Sequence, residues 1–240
     1  MPILRAANLR QVYGPQVIFA DLDLHLAAGE IVVVLGENGA GKSTLLRTLA
    51  CELAVAHGSL EIAGVDAAAE PERAARHLIH IAQHPPLAER LSPREHATAL
   101  IALRQLDEAA GLRALEEVAA ALRIGAVLDR PVRALSGGTQ HKVALLLGML
   151  AQTPLLLLDE PHAGLDVRSA LALRELLRAA RDRGAALLVA SHLAEATLAI
   201  ADRALVLARG SFALDLDRAT LAAFGGDARR FEAEVLRAMG

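Results

Sequence analysis

Aromatic residues are scarce in this sequence, whose 240 residues include no tryptophan, one tyrosine and four phenylalanines. Proteins that bind single-stranded nucleic acid use several aromatic side chains as stacking surfaces for the bases. Membrane-spanning proteins usually carry tryptophan and tyrosine at both membrane interfaces. The composition therefore argues against both of these classes.

Long uncharged hydrophobic runs are also missing, although 54% of the residues are hydrophobic. No stretch reaches the roughly 18 uncharged apolar residues that a membrane-spanning helix requires. Alanine and leucine are instead interspersed with arginine and glutamate, which predicts a soluble protein with a well-packed core. The N-terminal segment 1–10 lacks the apolar core of a signal peptide, so we expect a cytoplasmic protein that reaches a membrane only through a partner.

Neither a large charge excess nor a pair of cysteines is present. The formal net charge is −3, so the sequence lacks the basic surplus of a nucleic-acid-binding protein. Cys51 is the only cysteine, which excludes an internal disulfide and a cysteine-based zinc site. We expect Cys51 to be a small buried apolar residue within a helix.

Strand-like and helix-like segments alternate along most of the chain, which predicts an α/β fold with a mainly parallel sheet. Leu22, Leu24 and Leu26 alternate with polar residues, as in a half-exposed strand, and we assign them to a small antiparallel β subdomain at the N-terminal side. Continuous apolar runs predict central strands buried on both faces. These runs are residues 31–35, 155–158, 185–190 and 204–208.

A helical segment interrupts this α/β core. No convincing strand occurs between residues 87 and 150, and Ser92, Pro93 and Glu95 match the N-cap, N1 and N3 positions of a helix start. A short terminal helix follows, with Phe231, Val235 and Leu236 on one face. We therefore predict one domain, residues 1–240, divided into an α/β core (1–86 and 151–225), a helical subdomain (87–150) and a C-terminal helix (226–240).

A glycine-rich loop joins the run 31–35 to a helix predicted for residues 43–56. Its sequence GENGAGKST fits the pattern G-x-x-x-x-G-K-S/T in the strand–loop–helix context that the pattern requires. Backbone N–H groups at a helix N-terminus can surround phosphates, while Lys42 reaches the β- and γ-phosphates and Ser43 offers a hydroxyl to Mg²⁺. The predicted nucleotide-binding residues are Gly36, Glu37, Asn38, Gly39, Ala40, Gly41, Lys42, Ser43 and Thr44.

Two carboxylates, Asp159 and Glu160, end the apolar run 155–158. Ligands of open parallel sheets bind at the carboxyl ends of the strands, so we expect both residues to face the same nucleotide. Asp159 is predicted to hold Mg²⁺ and Glu160 to polarise the attacking water as general base. Alone, such a pair is more often a solvated acidic turn, but the phosphate loop favours the catalytic interpretation.

The segment Leu135-Ser136-Gly137-Gly138-Thr139-Gln140 lies directly before a predicted helix and offers a hydroxyl and glycine N–H groups suited to phosphate oxygens. With the phosphate loop before it and LLLLDEP after it, the chain resembles the nucleotide-binding subunits of ATP-binding cassette (ABC) transporters over about residues 3–215. The resemblance implies that Ser136, Gly137, Gly138 and Thr139 contact the ATP bound by a second nucleotide-binding subunit. Two ATP molecules would thus be enclosed in a head-to-tail dimer, which we expect to be a homodimer.

The resemblance also implies roles for four residues outside these motifs. Tyr13 matches an aromatic residue that stacks on adenine, and Gln83 matches a glutamine that contacts Mg²⁺ and the attacking water. Asp166, in Ala-Gly-Leu-Asp, matches a loop that crosses the dimer interface. His192 matches a histidine that contacts the γ-phosphate, so the predicted catalytic set is Lys42, Gln83, Glu160 and His192.

Plainer alternatives exist for these single residues. Tyr13 is also typical of an ordinary strand and His192 of a helix start. The histidines around Gln83 suggest a metal site, but their irregular spacing without a neighbouring carboxylate or thiol favours solvated side chains. They are His77, His80 and His84.

Three residues depart from the family pattern. Thr139 replaces a common glutamine and resembles the exporter-associated branch, His162 stands where Thr, Ser or Phe is usual, and Leu147 where many members carry Arg. None removes a group that the chemistry requires. We therefore expect an active ATPase.

The function implied is ATP hydrolysis that powers translocation by a separate transmembrane permease, with ATP and Mg²⁺ bound and no nucleic-acid partner. The chain would lie on the cytoplasmic face of the inner or plasma membrane, with its segment 83–94 against the permease. Thr139 and the lack of a C-terminal regulatory domain favour export. The alternatives are a soluble ABC ATPase for iron–sulfur assembly and a regulator that does not hydrolyse, although Glu160 and His192 argue against the regulator.

Overall fold

The computed structural model describes residues 2–240, which form two compact units. The first unit comprises residues up to His80, Thr153–Glu160 and Arg181–Gly240. The second unit comprises Ile81–Gln152 and Pro161–Ala180. The chain therefore leaves the first unit and returns to it twice.

Two β-sheets organise the first unit. Their strands are β1 (Pro2–Tyr13), β2 (Gln16–Ala27), β3 (Ile31–Leu35), β4 (His57–Ile62), β5 (Val65–Asp66), β6 (Leu78–Ile81), β7 (Leu155–Asp159), β8 (Ala186–Ser191), β9 (Arg203–Ala208) and β10 (Ser211–Leu216). One sheet is antiparallel with the strand order β2-β1-β4-β5. The other has the order β10-β9-β3-β8-β7-β6, in which β9, β3, β8 and β7 run parallel and β10 is antiparallel to β9.

This arrangement confirms the predicted α/β fold with a mainly parallel sheet and an N-terminal antiparallel subdomain. The four apolar runs form β3, β7, β8 and β9, because a strand that is buried on both faces has apolar residues at successive positions. In β2, Leu22, Leu24 and Leu26 are buried and the residues between them are exposed, which confirms the half-exposed strand.

The helices are α1 (Lys42–Leu49), α2 (Pro71–Ala75), α3 (Pro93–Leu103), α4 (Glu108–Ala121), α5 (Gly137–Leu150), α6 (Val167–Asp182), α7 (Ala194–Ile200), α8 (Arg218–Ala222) and α9 (Ala228–Met239). Of these, α3, α4, α5 and most of α6 belong to the second unit. No helix within residues 2–240 combines the length and the apolar character needed to cross a membrane.

The predicted start of α3 is confirmed in detail. The N-cap Ser92 accepts a hydrogen bond from the backbone N–H of Glu95 at 3.2 Å, and the Glu95 carboxylate accepts one from the Ser92 N–H at 2.7 Å. This reciprocal capping box satisfies two N–H groups that lack partners inside the helix.

The predicted helix 43–56 was too long, and the expectation for Cys51 was wrong. α1 ends at Leu49, and Cys51 lies just beyond it with a left-handed φ of 61°. The N–H of Glu52 then bonds back to the carbonyl of Arg47 at 3.0 Å, as is typical where a residue in this conformation closes a helix. Cys51 is half-buried, and burial raises the pKa of its thiol.

The terminal helix was predicted correctly, but its buried face only in part. Asp227 caps α9 by accepting a hydrogen bond from the N–H of Arg230, and Phe231 and Val235 are buried. Phe231 also packs edge to face on Phe224, with ring centroids 5.2 Å apart. Leu236 is instead 57% exposed, so it lies off the packed face.

Candidate nucleotide and catalytic site

The phosphate loop lies between β3 and α1, where glycine is required for two different reasons. At Gly36 an added Cβ would lie 2.6 Å from the backbone oxygen of Leu207 in β9, so no side chain fits without moving the loop. Gly41, the N-cap of α1, has a φ of 101°, which L-residues rarely adopt. Both glycines therefore set the path of the loop that leads into the helix.

Lys42 is held inside this loop by backbone oxygens. Its Nζ donates to the carbonyls of Gly36 at 2.7 Å and Glu37 at 3.1 Å, and the residue is 6% exposed. Burial lowers the pKa of Lys42, while the nearby charges of Glu160 and Asp159 oppose that shift. Because an ammonium has three protons, one remains for an anion outside the loop.

The two acidic residues lie at the carboxyl end of β7, as predicted. Asp159 and Glu160 are 5% and 8% exposed, and both are close enough to influence the charge of Lys42. The N–H of Glu160 donates to the carbonyl of Ala190 in β8 at 3.0 Å. Glu160 has a left-handed φ of 49°, so the chain turns at this point and the two carboxylates need not point to opposite faces of the sheet.

His192 follows β8 and contacts Glu160 directly. Its Nδ1 lies 2.9 Å from Glu160 Oε2, and since an ionised carboxylate only accepts, Nδ1 is the donor. The His192 side chain is 56% exposed, whereas that of Glu160 is 10% exposed. The first unit therefore brings together Lys42, Asp159, Glu160 and His192, four of the predicted site residues.

Two further predicted residues of the first unit are accessible. Tyr13 ends β1, is paired with Gln16 across the turn to β2 and is 44% exposed. Ser43, in the first turn of α1, is also exposed. Its hydroxyl and the carboxylate of Asp159 are oxygen donors of the kind that Mg²⁺ prefers, so the residues present fit this ion.

The signature segment begins α5 in the second unit. Ser136 is the N-cap, and its Oγ lies 3.4 Å from the N–H of Thr139 and 2.9 Å from the Thr139 hydroxyl. Ser136 and Gly137 are exposed, and an added Cβ on Gly138 would lie 3.3 Å from the carbonyl of Gly164. The helix N-terminus thus presents N–H groups beside the loop that contains Gly164.

Asp166 is fixed by contacts that the sequence interpretation missed. Its carboxylate accepts from Lys142 Nζ at 2.8 Å, from the Ser169 N–H at 3.0 Å and from the Ser169 hydroxyl at 2.9 Å. These hydrogen bonds, that of Lys142 foremost, hold the pKa of Asp166 well below its usual range. Asp166 directly precedes α6 and accepts from the N–H three residues later, as an N-cap residue does. An aspartate at this position is a signal that could have been recognised in the sequence.

One predicted site residue, Gln83, and two histidines outside the predicted set remain to be placed. Gln83 follows β6 and is exposed. His141, which the sequence interpretation did not select, is buried in α5 and contacts the carbonyl of Pro161 at 3.1 Å. His80, considered above as a metal ligand, lies at 2.7 Å from a carboxylate oxygen of Glu52.

Comparison with known proteins identifies similar chains. A family model described as "ABC transporter" matches residues 19–163. The "Lipopolysaccharide export system ATP-binding protein LptB" of Acidithiobacillus ferridurans is 30% identical over 210 residues, covering 87% of each chain. The "Aliphatic sulfonates import ATP-binding protein SsuB 2" of Pseudomonas savastanoi pv. phaseolicola is 36% identical over 219 residues, covering 90% of this chain and 74% of that one.

A solved structure extends the similarity to the whole fold. The "Structure of ATP binding subunit of ABC transporter" superposes with a TM-score of 0.88 at 26% identity. The alignment covers 98% of this chain and 99% of that chain.

Proposed function

Because the chain belongs to the ABC transporter family as an ATP-hydrolysing subunit, we propose that its hydrolysis of ATP drives export through a separate membrane permease. The relatives include both an export and an import protein, so the direction rests on Thr139 in the signature segment. The observation that carries the proposal is the cluster of Lys42, Asp159, Glu160 and His192 at one end of the parallel strands.

ATP binding in this proposal depends on the phosphate loop and on Tyr13. The loop's backbone N–H groups and the third proton of Lys42 bind the phosphates. The exposed ring of Tyr13 stacks on the adenine. The remaining loop residues shape the backbone; they are Glu37, Asn38, Gly39, Ala40 and Thr44.

Oxygen donors of the protein would hold Mg²⁺ beside the phosphates. Ser43 and Asp159 provide a hydroxyl and a carboxylate, and Gln83 is proposed as a further ligand through its amide oxygen. When bound, Mg²⁺ neutralises negative charge on the β- and γ-phosphate oxygens.

Glu160 is the proposed general base. Its Oε2 already accepts a hydrogen bond from His192 Nδ1, which leaves Oε1 to accept a proton from water. The same contact orients the His192 ring, whose exposed side is then available to the γ-phosphate. Phosphoryl transfer depends mainly on such positioning and on electrostatic stabilisation.

A second copy of the chain completes the proposed site. Ser136, Gly137, Gly138 and Thr139 of one copy cover the ATP held by the loop of the other, and Asp166 lies at the interface. The exposed N-terminus of α5 supports this role, because its N–H groups favour anionic phosphate. The dimer would act at the cytoplasmic face of the membrane, and contact between segment 83–94 and the permease stays a prediction.

The substitution Glu160→Gln tests the central assignment. The amide keeps the size of the side chain but cannot accept a proton, so we expect ATP hydrolysis to fall on the order of 10²-fold or more. The Kd for ATP should stay unchanged, and the variant should elute as a dimer when ATP is present. Steady-state hydrolysis, calorimetric titration and size-exclusion chromatography measure these three properties.

The matched control is Glu61→Gln, which changes an exposed glutamate of β4. We expect this variant to hydrolyse ATP at the wild-type rate. Wild-type hydrolysis by Glu160→Gln itself would show that Glu160 is not the base.

A further inference from the structure

A buried histidine contacts the backbone immediately after the proposed base. His141 lies in α5 and is 4% exposed. Its Nε2 lies 3.1 Å from the carbonyl oxygen of Pro161. A carbonyl oxygen only accepts hydrogen bonds, so Nε2 carries a proton and donates it. Pro161 is joined by a peptide bond to Glu160.

The backbone of Glu160 needs such support. Its φ of 49° lies in the left-handed region, which is unfavourable for a residue with a side chain. Strained residues persist where their surroundings fix the backbone, and they are common at active sites. On the N-terminal side of Glu160, its own N–H is bonded to Ala190. On the C-terminal side, the carbonyl of Pro161 is bonded to His141.

The surroundings of His141 favour its neutral form. Burial lowers the pKa of His141 and the neighbouring His84 lowers it further, while the hydrogen bond to the Pro161 carbonyl opposes this shift. His162 has a pKa lowered by burial and by its proximity to His141. A neutral imidazole protonated at Nε2 is therefore favoured, and its Nδ1 has no hydrogen-bond partner among residues 2–240. Among residues 2–240, the bond to Pro161 is thus the only hydrogen bond of the His141 ring.

We propose that His141 is a positioning residue for ATP hydrolysis, because its hydrogen bond to Pro161 fixes the backbone beyond Glu160 and so the direction of the Glu160 carboxylate. The inference rests on the proposed role of Glu160 as base. The proposal gives a part in catalysis to a residue that was not among the predicted site residues. In this proposal the histidine acts through the peptide unit that it holds.

Two substitutions separate the hydrogen bond from the bulk of the side chain. His141→Met introduces an apolar side chain of similar size that has no hydrogen-bond donor, whereas His141→Gln retains an N–H donor. We expect His141→Met to lower kcat about 10-fold or more, since small misplacements of a catalytic group have effects of this order. KM for ATP should stay near the wild-type value, and His141→Gln should recover most of kcat.

Thr153→Val provides a control for lost stability. The Thr153 hydroxyl is buried and donates to the carbonyl of Leu155, at the opposite end of β7 from Glu160. The substitution removes a comparable hydrogen bond from a buried side chain to a backbone carbonyl. We expect it to lower the unfolding temperature but to leave kcat and KM unchanged.

Three other outcomes would show that His141 is not a positioning residue. Wild-type kcat in His141→Met would overturn the proposal, and so would equal losses in His141→Met and His141→Gln, or an equal loss in Thr153→Val. Glu160→Gln, measured in parallel, separates this inference from the proposed function. If Glu160→Gln is inactive and His141→Met is normal, only the role of His141 is wrong. If Glu160→Gln hydrolyses ATP normally, the base assignment is wrong and the inference falls with it.

Discussion

Replacement of the single tyrosine tests how the nucleotide base is held. Tyr13 is 44% exposed at the end of β1, so a large part of the residue is accessible for contacts outside the chain. Base–aromatic stacking contributes about 1–3 kcal/mol, which predicts that Tyr13→Ala raises the Kd for ATP about 5- to 150-fold. Substitutions at exposed positions usually change the free energy of unfolding by less than about 0.5 kcal/mol, so the fold should be unaffected.

A ligand without a base makes the measurement specific. Isothermal titration with ATP and with inorganic tripolyphosphate compares binding with and without adenine. Tyr13→Ala should weaken binding of ATP but not of tripolyphosphate, because the phosphate loop is unchanged. Tyr13→Phe retains the ring and should bind both ligands with about the wild-type Kd.

Two results would refute the stacking role. An unchanged Kd for ATP in Tyr13→Ala would leave Tyr13 as an ordinary strand residue. Equal weakening of ATP and tripolyphosphate would show that the substitution disturbs the phosphate loop and that no base contact was lost. A lowered unfolding temperature would accompany the second result.

Two further predictions concern the loop and the network around Asp166. Gly36→Ala should raise the Kd for ATP, measured by calorimetry, more than about 10-fold, because the added Cβ would lie 2.6 Å from the backbone oxygen of Leu207. Gly125→Ala is the control: an added Cβ there meets nothing within 4 Å, so this variant should bind ATP with the wild-type Kd. Asp166→Asn should destabilise the protein more at neutral pH than in acid. Lys142 and Ser169 lower the pKa of Asp166 in the folded protein, so its stabilisation is complete above the ordinary value of 3.8, begins to be lost below that value and disappears only as the pH falls through the lowered pKa. Denaturant unfolding at pH 7 and pH 3 checks this, and an equal difference at both pH values would contradict it.

The central strands could be predicted from the sequence, whereas the end of one helix could not. Runs such as 31–35 and 155–158 are apolar on both faces, which is the pattern that a strand in the middle of a covered sheet requires. The helix after the phosphate loop ends at Leu49 because Cys51 turns the chain, although no glycine or asparagine marks this position. A left-handed residue of ordinary type leaves no signal in the sequence.

In the candidate site, too, local motifs could be predicted from the sequence, whereas contacts between distant residues could not. Lys42 and Ser43 belong to a loop whose residues are adjacent in sequence, so their placement could be predicted from the pattern alone. The bond between His192 and Glu160 joins two different strand ends. That between His141 and Pro161 joins a helix to a loop 20 residues away. Such contacts depend on how the elements pack, which periodicity does not encode.

Two charged side chains of the candidate site, Lys42 and Glu160, are held in place by contacts within the protein. Their fixed orientation favours the proposed hydrolysis of ATP. Two carbonyl oxygens hold the ammonium of Lys42, and His192 holds the carboxylate of Glu160. Groups oriented in advance need not reorganise when charge develops in the transition state, and such preorganisation is usually the largest electrostatic contribution to catalysis. Burial, which lowers the pKa of Lys42, also removes water from around its charge. In the proposed site, the same ammonium would therefore stabilise negative charge on a phosphate more strongly than it would in water, because the effective dielectric is lower.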